Sequence, residues 1–115
     1  MPSERFARLE LLLGAEGLNS LKKARVMVLG LGGVGSSCAE ALARGGIGSL
    51  VLLDRDIIEE SNINRQKLAF TSTLGREKAE VMAEIVADIN PECTVFATRT
   101  YLDSRTLEQI LDRLP

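Results

Sequence analysis

Histidine and tryptophan are absent from this sequence of 115 residues, and only two cysteines occur. Without histidine, the commonest general base near neutral pH is missing, so any chemistry must rest on carboxylates, Lys, Arg and backbone N–H groups. Cys38 and Cys93 lie far apart and form no C-x-x-C pair, which argues against a structural zinc site and predicts two buried or unreactive thiols. We therefore expect no metal ligand within this chain.

Long apolar runs are also missing. No stretch approaches the roughly 18 residues of a membrane-spanning helix, and the N-terminus lacks a signal-peptide pattern, so we expect a cytoplasmic protein with no membrane partner. The net charge of −2 does not indicate a nucleic-acid partner, although it is compatible with a local basic patch. A composition of 45% hydrophobic and 26% charged residues fits one globular unit over 1–115.

The most informative stretch is an apolar run over 26–29 that ends in a cluster of glycines. Gly30, Gly32 and Gly35 follow the G-x-G-x-x-G spacing, which is typical of a strand that turns sharply into a helix whose N-terminus receives a phosphate group. The first glycine allows the turn, the second lets the backbone approach the phosphates, and the third lets the helix pack on the strand. The stretch predicts a nucleotide-binding unit.

The remaining pattern predicts alternating strands and helices. A leader over 1–23 contains two short helices, 3–13 and 15–21, separated by Gly14. Apolar strands at Arg25–Leu29 and Ser49–Leu53 are joined by a helix with an apolar stripe of Val34, Cys38, Ala41 and Leu42. A helix over 75–89, with Met82, Ile85, Val86 and Ile89 on one face, leads to a third strand at Thr94–Thr98, in which small or apolar residues alternate with polar ones. A last helix, capped by Ser104, carries a stripe of Leu107, Ile110, Leu111 and Leu114. This order predicts an α/β fold, a Rossmann-like βαβαβα half of a doubly wound parallel sheet whose first strand is left at an open edge.

Polar residues follow the second strand. Asp54 comes 19 residues after Gly35, where dinucleotide-binding folds place an acid that holds ribose hydroxyls. The connection after it is long and polar and includes Asn62, Asn64, Arg65 and Gln66, groups suited to phosphate, ribose or base recognition. Lys78 stands in the first turn of the next helix, where the helix dipole disfavours a cation. A solvated strand end, a plain surface loop and an NAD site each remain compatible with these features taken singly.

Four strings taken together carry a family resemblance. They are G-L-G-G-V-G-S at 30–36, L-D-R-D at 53–56, S-N-I-N-R-Q at 61–66 and G-R-E-K-A at 75–79. In this order and spacing they resemble the ThiF/MoeB/HesA superfamily, ATP-dependent enzymes related to ubiquitin-activating enzymes. Softer strings at 41–48, 78–84 and 89–93 are similar to the branch of tRNA threonylcarbamoyladenosine dehydratases.

The resemblance implies an ATP site and assigns roles within it. The implied cofactor-binding residues are Gly30, Gly32, Gly33, Gly35, Asp54, Asp56, Asn62, Arg65 and Lys78. Among them the glycines would wrap the phosphates, Asp54 would hold the ribose, and the last three would contact phosphates. The implied catalytic residues are Arg65, Lys78 and Arg8. Arg8 matches the second arginine of the R-x-x-R leader, which reaches the neighbouring subunit's ATP in a homodimer, although Leu9 departs from the glutamine that the family often has.

The expected activity is adenylation of a carboxylate by ATP. In the dehydratase branch, the substrate is the threonyl carboxylate of a modified adenosine in tRNA, which is then closed to a cyclic form. One alternative is activation of the C-terminus of a ubiquitin-like sulfur carrier, and another is a non-catalytic module that binds NAD or another nucleotide. The resemblance places a magnesium-binding, catalytic aspartate beyond residue 115, so the chain alone is expected to be inactive.

Overall fold

A computed structural model describes residues 4–100 and 103–113. The elements in chain order are a short 3₁₀ turn at Glu4–Phe6, α1 at Ala7–Lys23, β1 at Arg25–Leu29, α2 at Gly33–Arg44, β2 at Ser49–Leu53, 3₁₀ turns at Glu60–Asn62 and Thr71–Thr73, α3 at Lys78–Ile89, β3 at Thr94–Thr98 and α4 at Ser104–Arg113. The predicted alternation of parallel strands with helices is confirmed, and the three strands have the predicted bounds.

The three strands form one parallel sheet in the order β1-β2-β3. β1 runs in register with β2 from Arg25 opposite Ser49 to Leu29 opposite Leu53, and β3 pairs with the other side of β2. β2 is central and is buried from Leu50 to Leu53, as its uninterrupted apolar run predicts. β1 lies at an edge of the described sheet, also as predicted.

Helices cover both faces of the sheet. Alternate residues Val28, Leu50 and Leu52 point to the face on which α2 and α3 pack, and they join one apolar core. Val51 and Leu53 point to the other face, where Ile110 of α4 packs against them. The alternation follows from the period of two in a strand. Among the described residues, no helix has both the length and the apolar character that crossing a bilayer demands.

The predicted apolar face of α2 is wrong at Val34, Cys38 and Ala41, which are exposed, whereas Leu42 packs against the core as predicted. The buried positions are Ser36, Ala39 and Ala43, whereas Val34 is 87% exposed and Cys38 is also exposed. The reason is that α2 lies so close to β1 that only small side chains fit between them, and these small residues recur at helical spacing. Cys38 is therefore accessible, so of the two expected alternatives, a buried or an unreactive thiol, burial is excluded for it. Cys93 is half-buried, and burial raises the pKa of its thiol.

The helix ends also differ in part from the prediction. Gly14 interrupts α1 with φ 73° and ψ 170°, as predicted, and Ser3 lies outside the described residues. α3 begins at Lys78 rather than at residue 75, because the residue before it, Glu77, is extended at ψ 131°. α4 is capped by Asp103 rather than by Ser104, since Asp103 Oδ1 accepts hydrogen bonds from the N–H groups of Arg105 and Thr106, both at 2.9 Å.

The predicted stripes of α3 and α4 have different outcomes. On α3, Met82 and Val86 are buried as expected. On α4, Ile110 is buried but Leu111 is half exposed, and Leu114 lies outside the described residues. The buried surface of α4 is narrow because the helix reaches the sheet through Ile110.

Candidate nucleotide-binding site

The glycine turn lies at the carboxyl edge of the sheet, between β1 and α2. Gly30 has φ 88°, a backbone conformation that favours glycine, and its N–H donates to Leu53 O at 2.8 Å. A Cβ on Gly35 would lie 1.7 Å from Gly30 O, so the close packing of α2 on β1 depends on a missing side chain. A Cβ on Gly32 would meet nothing within 4 Å. The turn is therefore closely packed where Gly35 meets Gly30, and it leaves free space beside Gly32.

Asp54 ties the glycine turn to the loop after β2. Its carboxylate is buried; Oδ2 accepts a hydrogen bond from Leu31 N at 2.6 Å, and Oδ1 accepts one from Asp56 N at 2.7 Å. Each carboxylate oxygen can accept a second hydrogen bond, so a ribose hydroxyl can still bind here. The sequence predicts the place of Asp54 at the strand end but not this double anchoring of the backbone.

Lys78 lies one turn before Met82 on the buried face of α3 and is only 6% exposed. Its N–H donates to Asp56 O at 3.1 Å, which fixes the start of α3 beside the end of β2. No carboxylate of the described residues forms an ion pair with its ammonium. A buried ammonium without a protein partner is costly unless an anion or water completes it. Lys78 is therefore the strongest candidate for a ligand contact.

Lys78 lines a strongly polar cleft of about 310 Å³. The other lining residues are Arg55, Asp56, Ile57, Glu59, Asn62 and Arg99. Asn62 is buried, and its Oδ1 accepts a hydrogen bond from Glu59 N at 2.9 Å. Its NH₂ group has no hydrogen-bond partner within 4–100 and 103–113, so this donor remains for a ligand. We name this space the lysine cleft.

A second cleft of about 290 Å³ adjoins the lysine cleft at the ends of the strands. It is lined by Leu29, Gly30, Leu53, Asp54, Arg55, Asp56 and Thr100. The two clefts share Arg55 and Asp56, whose side chains pair at 3.8 Å. In parallel α/β sheets, the crevice beyond the carboxyl ends of the strands is the usual place for a ligand.

The connection between β2 and α3 begins and ends at one point. Ile58 N donates to Arg76 O, and Gly75 N donates to Ile58 O, each at 2.9 Å. These bonds close the loop at its base, while Leu68 anchors its middle in the core. This closure carries Lys78 back to the end of β2, which explains how residues far apart in sequence share one cleft.

Two predicted site residues stay apart from the clefts. Arg65 is exposed, and its Nη1 donates to Ser61 O and to Asn64 Oδ1, each at 3.0 Å, so the guanidinium folds back on its own loop. Arg8 is exposed on α1 and lines neither cleft. The structure thus brings together the glycine turn, the two aspartates, Asn62 and Lys78, but leaves Arg65 and Arg8 outside.

Arg99, which follows β3 and lines the lysine cleft, was not predicted from the sequence. Its signal is its position, because a polar residue after the third parallel strand must reach the same edge as Asp54. Gln66, in the polar loop, is buried with an Oε1 that has no hydrogen-bond partner among the described residues. No group of three His, Cys, Asp or Glu side chains that could hold a metal ion occurs within 4–100 and 103–113.

Comparison with known proteins agrees with this geometry. The sequence matches the ThiF family over residues 4–114. It is 50% identical over 107 residues to the tRNA threonylcarbamoyladenosine dehydratase of Bacillus subtilis (strain 168), covering 93% of this chain and 42% of that protein. It is 40% identical over 96 residues to the molybdopterin-synthase adenylyltransferase of Salmonella typhimurium (strain LT2), covering 84% of this chain and 39% of that protein.

A solved structure is also similar. The crystal structure of E. coli tRNA N6-threonylcarbamoyladenosine dehydratase in complex with ATP has a TM-score of 0.91 and 40% sequence identity, covering 96% of this chain and 46% of that one. The chain therefore spans less than half the length of these relatives. The resemblance drawn from the four sequence strings is confirmed, and the chain belongs to the ThiF family.

Proposed function

We propose that this chain is the nucleotide-binding part of an ATP-dependent adenylating enzyme of the tRNA threonylcarbamoyladenosine dehydratase type. Its substrate would be the threonyl carboxylate of the modified adenosine in tRNA. The observation that carries the proposal is the buried ammonium of Lys78, which no carboxylate of the described residues pairs with, in a polar cleft beside the glycine turn. The identity of 50% to a dehydratase supports the choice of branch.

In the proposed reaction, a substrate carboxylate oxygen attacks the α-phosphorus of ATP, and the bond to the β-phosphate oxygen breaks to release pyrophosphate. The protein's work is to align the attacking and leaving oxygens and to neutralise charge on the phosphates. A carboxylate is already ionised near neutral pH, so the step needs no histidine base. The absence of histidine from the sequence is compatible with this chemistry.

The residues of the two clefts divide this work. The adenosine would lie at the ends of the strands, where Asp54 can accept a ribose hydroxyl and still hold Leu31 N. The phosphates would pass the open side of Gly32 and Gly33 at the N-terminus of α2, where unpaired N–H groups favour an anion. The Lys78 ammonium and the Asn62 NH₂ group would then donate to phosphate oxygens.

Three further parts of the proposal concern groups outside the clefts. Arg65 would have to leave Ser61 O and Asn64 Oδ1 to reach a phosphate, and Arg8 would act on the ATP of a second subunit in a homodimer. The described residues do not supply a ligand set for magnesium, so the longer protein would have to provide one. The 115-residue chain alone would not adenylate a substrate.

A second candidate function uses the same site on a different substrate. The 40% identity to a molybdopterin-synthase adenylyltransferase favours it, and the carboxylate would then be the C-terminus of a ubiquitin-like sulfur carrier. Adenylation assays on the longer protein distinguish the two functions. Adenylation that depends on modified tRNA supports the first, whereas adenylation that depends on a carrier protein supports the second.

Nucleotide binding by the chain itself is the first test. We expect ATP to raise the melting temperature and NAD to leave it unchanged, because only a ligand of the folded state stabilises it. Lys78→Ala should weaken ATP binding about 10- to 100-fold, the scale of a charge-assisted hydrogen bond. Lys67→Ala is the matched control, since Lys67 is an exposed lysine in the connection between β2 and α3, and its ammonium pairs with Glu40 at 3.1 Å.

The outcomes of the thermal-shift experiment are distinct. Stabilisation by NAD but not by ATP would replace the adenylating enzyme with a dinucleotide-binding module. Equal ATP affinity in Lys78→Ala and Lys67→Ala would remove Lys78 from the site. In the longer protein, Lys78→Ala should lower ATP–pyrophosphate exchange by about two orders of magnitude, as for the loss of one active-site electrostatic contact.

A further inference from the structure

Arg99 bridges the ends of two strands. It is the first residue after β3, and its Nε donates to Arg55 O, beyond the end of β2, at 2.8 Å. Arg55 is followed by Asp56, whose carbonyl accepts the N–H of Lys78. One edge of the Arg99 guanidinium is therefore fixed to the backbone that also positions Lys78.

The other edge of the guanidinium is available. Within 4–100 and 103–113, neither terminal nitrogen of Arg99 makes a hydrogen bond or an ion pair, although the side chain lines the lysine cleft. A guanidinium fixed at Nε can still offer its terminal N–H groups to an anion in a planar fork. Such a fork fits two oxygens of a phosphate group.

The charges of the lysine cleft also favour an anion. Its cations are Arg55, Lys78 and Arg99, and its anions are Asp56 and Glu59. Asp56 already pairs with Arg55 at 3.8 Å, while Lys78 has no partner among the described residues. The positive charges of Lys78 and Arg99 thus exceed what the protein carboxylates of the cleft offset.

We propose that Arg99 is a phosphate-binding residue that, together with Lys78, binds the pyrophosphate portion of the nucleotide. This inference rests on the proposed function for the identity of the nucleotide but not for the chemistry of the anion. Arg99 has two roles in it: Nε holds the Arg55 carbonyl, and the terminal nitrogens donate to phosphate oxygens. A lysine in its place could supply charge but not both sets of bonds.

The test measures binding of inorganic pyrophosphate, ATP and AMP by calorimetry to the chain and to Arg99→Ala and Arg99→Lys. In Arg99→Ala, we expect pyrophosphate and ATP affinities to fall about tenfold or more, and AMP affinity to change less than about twofold. Arg99→Lys should recover only part of the pyrophosphate affinity. Arg44→Ala is the matched control, because Arg44 ends α2 at the opposite edge of the sheet and pairs with Glu40 at 3.2 Å.

The results distinguish a direct phosphate contact of Arg99 from a role in which Arg99 only positions the backbone at Arg55. Equal losses for AMP and ATP would show that Arg99 only positions the loop at Arg55, and unchanged pyrophosphate affinity, or no pyrophosphate binding by the unaltered chain, would remove the contact altogether. Pyrophosphate binding that depends on Arg99, without ATP binding, would sustain the inference and reject the proposed function. ATP binding that does not change in the Arg99 variants would reject the inference about Arg99 and leave the proposed function intact.

Discussion

Gly35 is a residue at which a single added methyl group has a large predicted effect. A Cβ there would overlap Gly30 O at 1.7 Å. Moving this carbonyl away would disturb the hydrogen bond from Gly30 N to Leu53 O, which holds the end of β1 to β2. We expect Gly35→Ala to lower the free energy of unfolding by about 3 kcal/mol or more, as for other backbone clashes in a packed core. Urea unfolding followed by circular dichroism measures it.

Gly32→Ala is the control for this prediction. A Cβ on Gly32 meets nothing within 4 Å, and its φ of −73° suits any residue, so its stability should change by about 1 kcal/mol or less. If the two variants unfolded at the same urea concentration, the close approach of α2 to β1 would not be a constraint on the fold.

For single residues, the sequence predicts where the backbone of a site residue lies better than it predicts what the side chain contacts. Gly30, Gly35, Asp54 and Lys78 could be placed because spacing and strand ends determine where a backbone atom lies. The direction of a long side chain could not be predicted, since Arg65 has a carbonyl and an amide oxygen within reach of its own loop. Arg99 could not be predicted as a site residue because a single arginine after a strand belongs to no motif.

Among the elements, α4 depends on one carboxylate for its start. Hydrogen bonds from Thr106 and Arg105 lower the pKa of Asp103. Because the folded pKa lies below the unfolded value, the stabilising effect is complete above the unfolded pKa of about 3.9 and is lost as the pH falls through the folded pKa. We expect the amide protection of α4 to decline below about pH 4, as measured by hydrogen exchange.

Two substitutions isolate the carboxylate at the start of α4. Asp103→Asn keeps an acceptor that does not titrate, so α4 should form with little dependence on acidic pH. Asp103→Ala removes the acceptor and should fray the first turn at every pH. If Asp103→Asn lost α4 protection over the same pH range as the unaltered chain, another group would be responsible.

The elements differ in how far the sequence determines them. The strand bounds could be predicted because each strand ends where the residue type changes, at Gly30, Asp54 and Arg99. The pattern is clearest in β2, which is buried from Leu50 to Leu53. The buried face of α2 was predicted correctly only at Leu42, since hydrophobicity selects Val34 while the close approach to β1 selects the smaller Ala39 and Ala43. Where two backbones nearly touch, side-chain volume overrides hydrophobicity.

At the scale of the whole chain, the position of β1 at an edge of the described sheet predicts self-association. Leu29 at the end of this edge strand is 55% exposed, and an unpaired strand edge can pair with another chain. We expect a concentration-dependent oligomer in sedimentation velocity. Leu29→Lys should weaken it about tenfold, since a charge opposes edge pairing and the burial of one leucine is lost.

Phe70→Lys is the control for self-association, because Phe70 is similarly exposed, at 56%, but lies in the loop after β2. Equal weakening by both substitutions would indicate non-specific hydrophobic contact rather than pairing through β1. A monomer at the highest soluble concentration would contradict the prediction for the edge strand.

Because the loop between β2 and α3 is closed at its base, its length and the position of Lys78 are independent of each other. Since Ile58 bonds to both Gly75 and Arg76, the spacing between the end of β2 and Lys78 does not depend on the number of residues within the loop. The exposed tip near Ser72 can therefore accept an inserted peptide or a reporter domain at a modest entropic cost. Length at this tip is free to vary while the geometry around Lys78 stays the same.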